Sequence, residues 1–229
     1  MSSRIRIISS MATRLLLAEL LAQYQAATGT TIHLESVGGV DAARRIREGE
    51  YFDIAVLASD AIQKLVVDDL LVSGSRVDLL RSKVAVAVPS GRSHPDIGTE
   101  EALRNAVLSA VSIGYSTGPS GTALASLFER WGIAEEIAAR IEVPPPGVPV
   151  GSLLAGGKLG LGFQQFSELM YIDGIDVLGP LPDPVGIETV FSGGICVCSC
   201  NRQAAARLLE FLRADENEDS RRRHGMEAA

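Results

Sequence analysis

Three times between Ile5 and Val67 a β-prone run ends in a turn of small residues and a helical pattern begins. Ile5–Ile8 runs into Ser9-Ser10 and a helix predicted over about Ala12–Thr28. That helix carries Leu16, Leu20, Leu21 and Tyr24 on one face, with Gly29 as its stop. Thr31–Val37 runs into Gly38-Gly39 and a helix over about Asp41–Glu48, and Asp53–Leu57 runs into Ala58-Ser59-Asp60 and a helix through about Val67. Such alternation commits a chain to α/β architecture, with mostly parallel sheets and helices on both faces. In sheets of this kind a ligand sits beyond the carboxyl ends of the strands.

The pattern continues with more variation. Lys83–Pro89 is a nearly continuous apolar strand, suited to burial on both faces. A helix around Thr99–Ser109 follows it. Val111–Tyr115 then leads through Ser116-Thr117-Gly118-Pro119-Ser120-Gly121 into a helix whose Leu124, Leu127, Phe128 and Trp131 keep helical spacing. Ile141–Val143 and a rigid Pro144–Gly147 loop precede a short helix at Val150–Ala155. Leu159–Phe163 is a strand ending at Gln164-Gln165, followed by a helical turn through Met170 and a strand at Gly174–Leu178. Val190–Ser199 reads as a returning strand and Gln203–Arg213 as a closing helix. The tail, Asp215–Ala229, is charged and poor in apolar residues, so a frayed or surface-lying end is expected.

The small-residue turns fall into two sets. Ser9-Ser10, Gly38-Gly39 and Ser59 belong to the first half, whereas Ser116–Gly121, Gly147–Pro149 and Gln164-Gln165 belong to the middle. Two sets predict two lobes facing a ligand cleft. A helix start attracts anions, because its first amides lack partners within the helix and the dipole favours negative charge. Any one of these turns is equally explained as a plain helix cap, with Ser120 or Thr122 satisfying a neighbouring amide.

Composition narrows the function classes. A chain of 229 residues with 46% apolar residues can bury one α/β domain or two modest lobes. A net charge of −7 argues against a general nucleic-acid or anionic-membrane surface. No stretch is long and apolar enough to span a bilayer. No apolar leader precedes Ile5, so the sequence as it stands reads as cytoplasmic, and as periplasmic if a leader has been removed. His33, His94 and His224 are scattered, and no metal site is expected. Cys196, Cys198 and Cys200 alternate onto one face of the predicted strand and read as reduced core or near-surface residues.

Ser120 lacks the Gly-x-Ser-x-Gly setting of a hydrolase nucleophile and has no histidine partner in a convincing position. Neither a dinucleotide fingerprint nor a phosphate loop is present, and no cofactor is expected.

The order and spacing of several landmarks resemble the type 2 periplasmic solute-binding proteins, the molybdate-binding branch in particular. These landmarks are Ile8-Ser9-Ser10-Met11, then Gly38-Gly39-Val40 before Ala42–Ile46, then Asp53-Ile54-Ala55-Val56 before Ala58-Ser59-Asp60, and Lys83–Pro89. The resemblance implies two α/β lobes joined by crossing strands, with residues 1–88 and 188–229 in the first and 89–187 in the second. It implies ligand contacts at Ser10, Met11, Gly39, Val40, Ser59, Val148, Pro149, Gln164 and Gln165, to which the turn residues Ser9, Gly38, Ser116, Thr117, Ser120 and Gly121 are added. The implied partners are a small anionic ligand and, if the chain is exported, the membrane subunits of an ABC transporter. No nucleic acid is expected, and the chain should be a monomer or weak dimer.

Three departures from the molybdate pattern shift the expected ligand. Gln165 stands nearest the place where molybdate binders carry a tyrosine hydroxyl, and Pro149 withholds an amide. Arg14, in the first turn after Ser9-Ser10, adds a planar guanidinium fork matched to carboxylates. The alternative for Arg14 is an exposed helix residue facing solvent. An organic di- or tricarboxylate is therefore favoured over a metal oxyanion. The same family includes aconitate isomerase, whose chemistry moves a proton across a three-carbon unit of an unsaturated tricarboxylate. That enzyme class is the alternative function here, with Glu168 and Asp41 as the candidate bases and solvated or capping carboxylates as their plainer reading.

Overall fold

The computed structural model describes residues 4–145 and 147–229; residues 1–3, and Pro146 of the expected proline loop, lie outside them. Strand β1 (Arg4–Ser10) passes through a 3-10 turn, Met11–Thr13, into α1 (Arg14–Thr28). Then β2 (Thr31–Val37) leads to α2 (Gly39–Arg47), and β3 (Ile54–Ala58) leads to α3 (Ser59–Val67). The long β4 (Val77–Pro89) is followed by α4 (Glu100–Ser109), β5 (Ile113–Tyr115) and α5 (Pro119–Arg130). Shorter elements come next: α6 (Ala134–Ile137), β6 (Ile141–Glu142), α7 (Val150–Ala155), β7 (Leu161–Gln165), α8 (Phe166–Leu169) and β8 (Ile175–Pro180). The chain closes with β9 (Glu188–Ile195), α9 (Arg202–Arg213), α10 (Glu218–Arg223) and β10 (Glu227–Ala228).

These elements form two compact α/β units. One runs up to Arg81 and resumes at Val190–Ala229; the other is Ser82–Thr189. Strands β4 and β9 carry the chain from one unit to the other.

In the first unit β1 lies between β2 and β3, parallel to both, and β9 joins β3 antiparallel. Helix α1 covers one face by burying Leu16, Leu17, Leu20 and Leu21 against Ile5, Ile7 and Val56, and α9 adds Leu208, Leu209 and Leu212 to the same core. Gly29 ends α1 in the left-handed conformation, φ 67°, a geometry that costs a side-chain-bearing residue energy. The opposite face carries a second core, in which Ile8, Ala55 and Leu57 meet Ile46 of α2 and Ile62 and Leu65 of α3.

In the second unit β5 lies between β6 and β7, parallel to both, and β4 joins β7 antiparallel with β8 alongside it. Phe163 packs edge-on against Phe128 of α5, at 6.1 Å between ring centres. Val150 and Leu154 of α7 cover the other face with Ala85 and Ala87. The parallel pairs are those the strand–turn–helix repeats predict. The antiparallel ones come from the strands that cross between units.

Three sequence expectations need correction. Strand β4 begins at Val77, not at Lys83; its first half sets the exposed Asp78 and the half-buried Arg81 around the buried Leu79 and Leu80 instead of running apolar. The three cysteines do not share a strand face: β9 stops at Ile195, leaving Cys196 buried and Cys198 and Cys200 exposed in the following turn. Burial pushes the Cys196 thiol up to about 12, so it is inert at neutral pH.

The tail is also not frayed. It folds back on α1, where Glu19 accepts hydrogen bonds from Ser220 and Arg223 and lies 2.8 Å from His224 Nε2. Arg221 and Met226 are buried beneath it. The Ser220 hydroxyl first, helped by His224 and Arg223, holds the Glu19 carboxyl down at about 2, below its ordinary 4.5. A depressed folded-state value means stability that is present above pH 4.5 and lost as pH falls towards 2. Glu19→Gln is expected to cost about 1–2 kcal/mol at neutral pH, with the difference from wild type vanishing near the acid end; urea titrations at a series of pH values read this directly.

Candidate functional site

Parallel pairing places the carboxyl ends of β1, β2 and β3 on one edge of the first unit. Ser9 is in register with Ser36 and with Val56, and Ser10 with Val37. The predicted residues of this half, Ser9, Ser10, Met11, Arg14, Gly38, Gly39, Val40 and Ser59, follow directly from those ends. They are not equivalent. Ser9 is fully buried and its hydroxyl is 2.7 Å from that of Ser36, so it ties two strands together. Ser10 is nearly buried beside Thr13, whose hydroxyl donates to the Ser10 carbonyl.

Helix α2 starts from Gly38 and α3 from Ala58, both without a side-chain cap. In α2 the amide of Ala42 is the one that closes on the Gly38 carbonyl, leaving those of Gly39, Val40 and Asp41 ahead of it. Val40 is 67% exposed at this start. The Ser59 hydroxyl, half-buried, makes no hydrogen bond among the described residues. Arg14 is exposed and pairs with no carboxylate among the described residues. Asp41, one of the two candidate bases, is instead held in an ion pair by Arg44, which also grips Glu48.

The second unit has an edge of its own. Tyr115 of β5 is in register with Phe163 of β7, so Ser116–Gly121 leaves the sheet beside Gln164 and Gln165, the last two residues of β7. Helix α5 offers fewer amides than α2. Pro119 has none, and those of Gly121 and Thr122 both turn back to the Gly118 carbonyl. What this edge presents instead is hydroxyls: Ser116 and Ser120, 3.3 Å apart, and the exposed Thr117. Gly121 is buried here for a steric reason, since a Cβ at that position would lie 1.7 Å from the Ser116 carbonyl oxygen.

The two glutamines differ. Gln164 has both ends occupied: its carbonyl accepts from the Gly151 amide at the start of α7, and its Nε2 donates to Glu168 at 2.9 Å. Gln164 thus clamps α7 to β7 and orients the second candidate base. Pro149 is the residue before that helix, and the half-exposed Val148 spends its amide on the Pro145 carbonyl. Gln165 donates to the Thr189 hydroxyl at 2.7 Å, and its carbonyl oxygen, fully buried, accepts from nothing among the described residues.

Sequence reasoning missed Ser36 and Thr189, the partners that hold Ser9 and Gln165. Ser36 could have been found from the pairing of two adjacent parallel strands. Thr189 left no local signal, being far along the chain on β9. A cavity of about 660 Å³ opens at the other end of the second unit's sheet, where β4 finishes and β5 and β7 begin, among Val88, Arg92, Asn105 and Leu161; none of the predicted residues lines it. Among the described residues no group of three or more His, Cys, Asp and Glu could hold a metal ion, and no helix is long and apolar enough to cross a membrane.

Comparison with known proteins agrees with this architecture. The chain is 34% identical over 200 residues to an aconitate isomerase from a Pseudomonas species, covering 85% of this chain and 76% of that protein. Among solved structures it is similar to the periplasmic molybdate-binding protein of Azotobacter vinelandii, with a TM-score of 0.81 at 17% identity over 98% of this chain and 99% of that one. It also resembles the sulfate-binding protein SubI of Mycobacterium tuberculosis H37Rv, with a TM-score of 0.79 at 12% identity over 98% and 86% of the two chains. Identities this low establish the fold alone, which is the two-lobed type 2 periplasmic-binding-protein fold. The model of the bacterial extracellular solute-binding protein family matches residues 5–227, and the chain belongs to that family.

Proposed function

We propose that the protein binds a small organic di- or tricarboxylate at the carboxyl ends of its parallel strands, as a solute-binding protein that works by hinge closure. The observation that carries this reading is Arg14. A guanidinium that is exposed, unpaired among the described residues and placed one turn beyond the Ser10 strand end supplies two parallel donors, which match a planar carboxylate. The uncapped starts of α2 and α3 on the same edge add backbone donors for further anionic oxygens. A ligand that makes contacts in the closed state and lacks them in the open one shifts the balance towards closure. If the chain is exported, the membrane subunits of an ABC transporter are the matching partner.

A second reading uses the same groups to isomerise cis- and trans-aconitate. Its support is the 34% identity to an aconitate isomerase, together with Glu168, a half-buried carboxylate oriented by Gln164. Arg14→Ala is expected to weaken citrate binding by about 1.5–3 kcal/mol, the range for a charge-assisted hydrogen bond, measured by calorimetric titration. Unchanged affinity would put Arg14 outside the ligand's reach. For the isomerase reading, proton spectra of trans-aconitate incubated with the protein should develop the cis isomer, and a spectrum that stays constant rules that reading out.

A further inference from the structure

The two edges carry different chemistry, and the difference narrows the ligand class. The first unit's edge is rich in donors, with the Arg14 guanidinium and the leading amides of α2 and α3. The second unit's candidate residues include no cation. Their one charged member is the Glu168 carboxylate, and α5 has lost amides to Pro119 and to the Gly118 carbonyl.

The same edge holds an unused acceptor. Gln165 is the last residue of β7 and only 4% exposed. Alternation along the strand puts it on the face of Phe163, the face covered by α5, whose first turn carries Ser120. Its Nε2 is committed to Thr189, and its carbonyl oxygen accepts from no described residue. A buried carbonyl without a donor is costly, and rejects a ligand that brings only more acceptors. Neighbouring hydroxyls on Ser116, Thr117 and Ser120 can give or take a hydrogen bond, so they suit a hydroxyl on the ligand as well.

We propose that Gln165 is the specificity residue for a ligand hydroxyl, so that the ligand class is the hydroxycarboxylates. This rests on the carboxylate-binding reading above and narrows it. Carboxylates lacking a hydroxyl bind more weakly, and a metal oxyanion without protons offers this edge nothing to donate.

The test uses two pairs of probes that differ by one hydroxyl, citrate against propane-1,2,3-tricarboxylate and malate against succinate, titrated calorimetrically into the whole protein. The hydroxyl-bearing member of the better-binding pair is expected to bind roughly tenfold or more tightly, the value of one satisfied buried acceptor. In Gln165→Met, which keeps length and removes both polar ends, the two members should converge. Equal binding of the two members by the wild-type protein overturns the proposal whether or not the variant folds. It is also the result expected if the Gln165 amide were turned end for end and offered its nitrogen to an anion. A hydroxyl preference that persists in a folded Gln165→Met overturns it too. If no member of either pair binds while molybdate does, the carboxylate reading fails and this inference with it.

Discussion

Asp53→Ala is expected to cost the fold about 3–5 kcal/mol, the scale for leaving buried donors without their charged partner. Asp53 is fully buried just before β3, at the opposite end of the strand from the predicted ligand contacts. Its carboxylate accepts from the Arg6 amide at 2.9 Å, from the Tyr51 hydroxyl at 2.8 Å, from Ser199 at 2.6 Å and from the Asn201 amide at 3.3 Å. One side chain therefore ties β1, the loop before β3 and the turn after β9. Alanine would strand the Arg6 amide and the Ser199 hydroxyl in the interior, where water does not replace the lost acceptor. Against a total stability of roughly 5–15 kcal/mol, that loss leaves the first unit close to unfolding. Asp53→Asn should fall between, since it keeps one acceptor but turns a donor towards other donors. Denaturant titration gives the value, and a cost below about 1 kcal/mol would mean that the cluster is dispensable.

Gly121→Ala is expected to destabilise the second unit by about 2–3 kcal/mol and to weaken ligand binding more than tenfold. The sign is informative. In an ordinary exposed helix the same change would stabilise by about 1 kcal/mol, because alanine is the better helix former. Gly121 has no positive φ that would explain a glycine on conformational grounds. The obstacle is the Ser116 carbonyl oxygen, 1.7 Å from where the new methyl would sit, and this is backbone that cannot rotate away. The first turn of α5 must lift off the Ser116–Gly118 loop, separating the Ser116 and Ser120 hydroxyls. A melting temperature equal to or above wild type would show that the close approach is not as described. A destabilised variant with full ligand affinity would remove this loop from the binding surface.

The repeats that organise the first unit were legible because each is local. A strand of period two, a turn of small residues and a helix of period 3.6 can be read from neighbouring residues, and β2 and the end of α1 at Gly29 follow from them. The first half of β4 was not legible, because the exposed Asp78 and the half-buried Arg81 break the apolar run. The tail was hidden for a different reason. Few of its residues are apolar, and its stability comes from Glu19, more than two hundred positions away in sequence, along with the buried Arg221, whose guanidinium donates to the Leu212 and Ala214 carbonyls.

The candidate residues divide in the same way. Serines and glycines at strand ends were found because a parallel sheet collects them on one edge. What distinguishes them from one another was not visible, since it depends on partners from other elements. Ser9 is consumed by Ser36, Gln164 by Gly151 and Glu168, and Asp41 by Arg44, while Arg14, Ser59 and the Gln165 carbonyl find no partner among the described residues. Binding chemistry depends on which groups are left over, and a single sequence does not list them.

The most direct test of the ligand class is one calorimetric series in which citrate, trans-aconitate, molybdate and sulfate are titrated separately into the protein at the same pH and ionic strength. Saturable heat with about one equivalent of a tricarboxylate, and none with molybdate or sulfate, is the predicted result. Saturable binding of molybdate or sulfate with both tricarboxylates silent would contradict it.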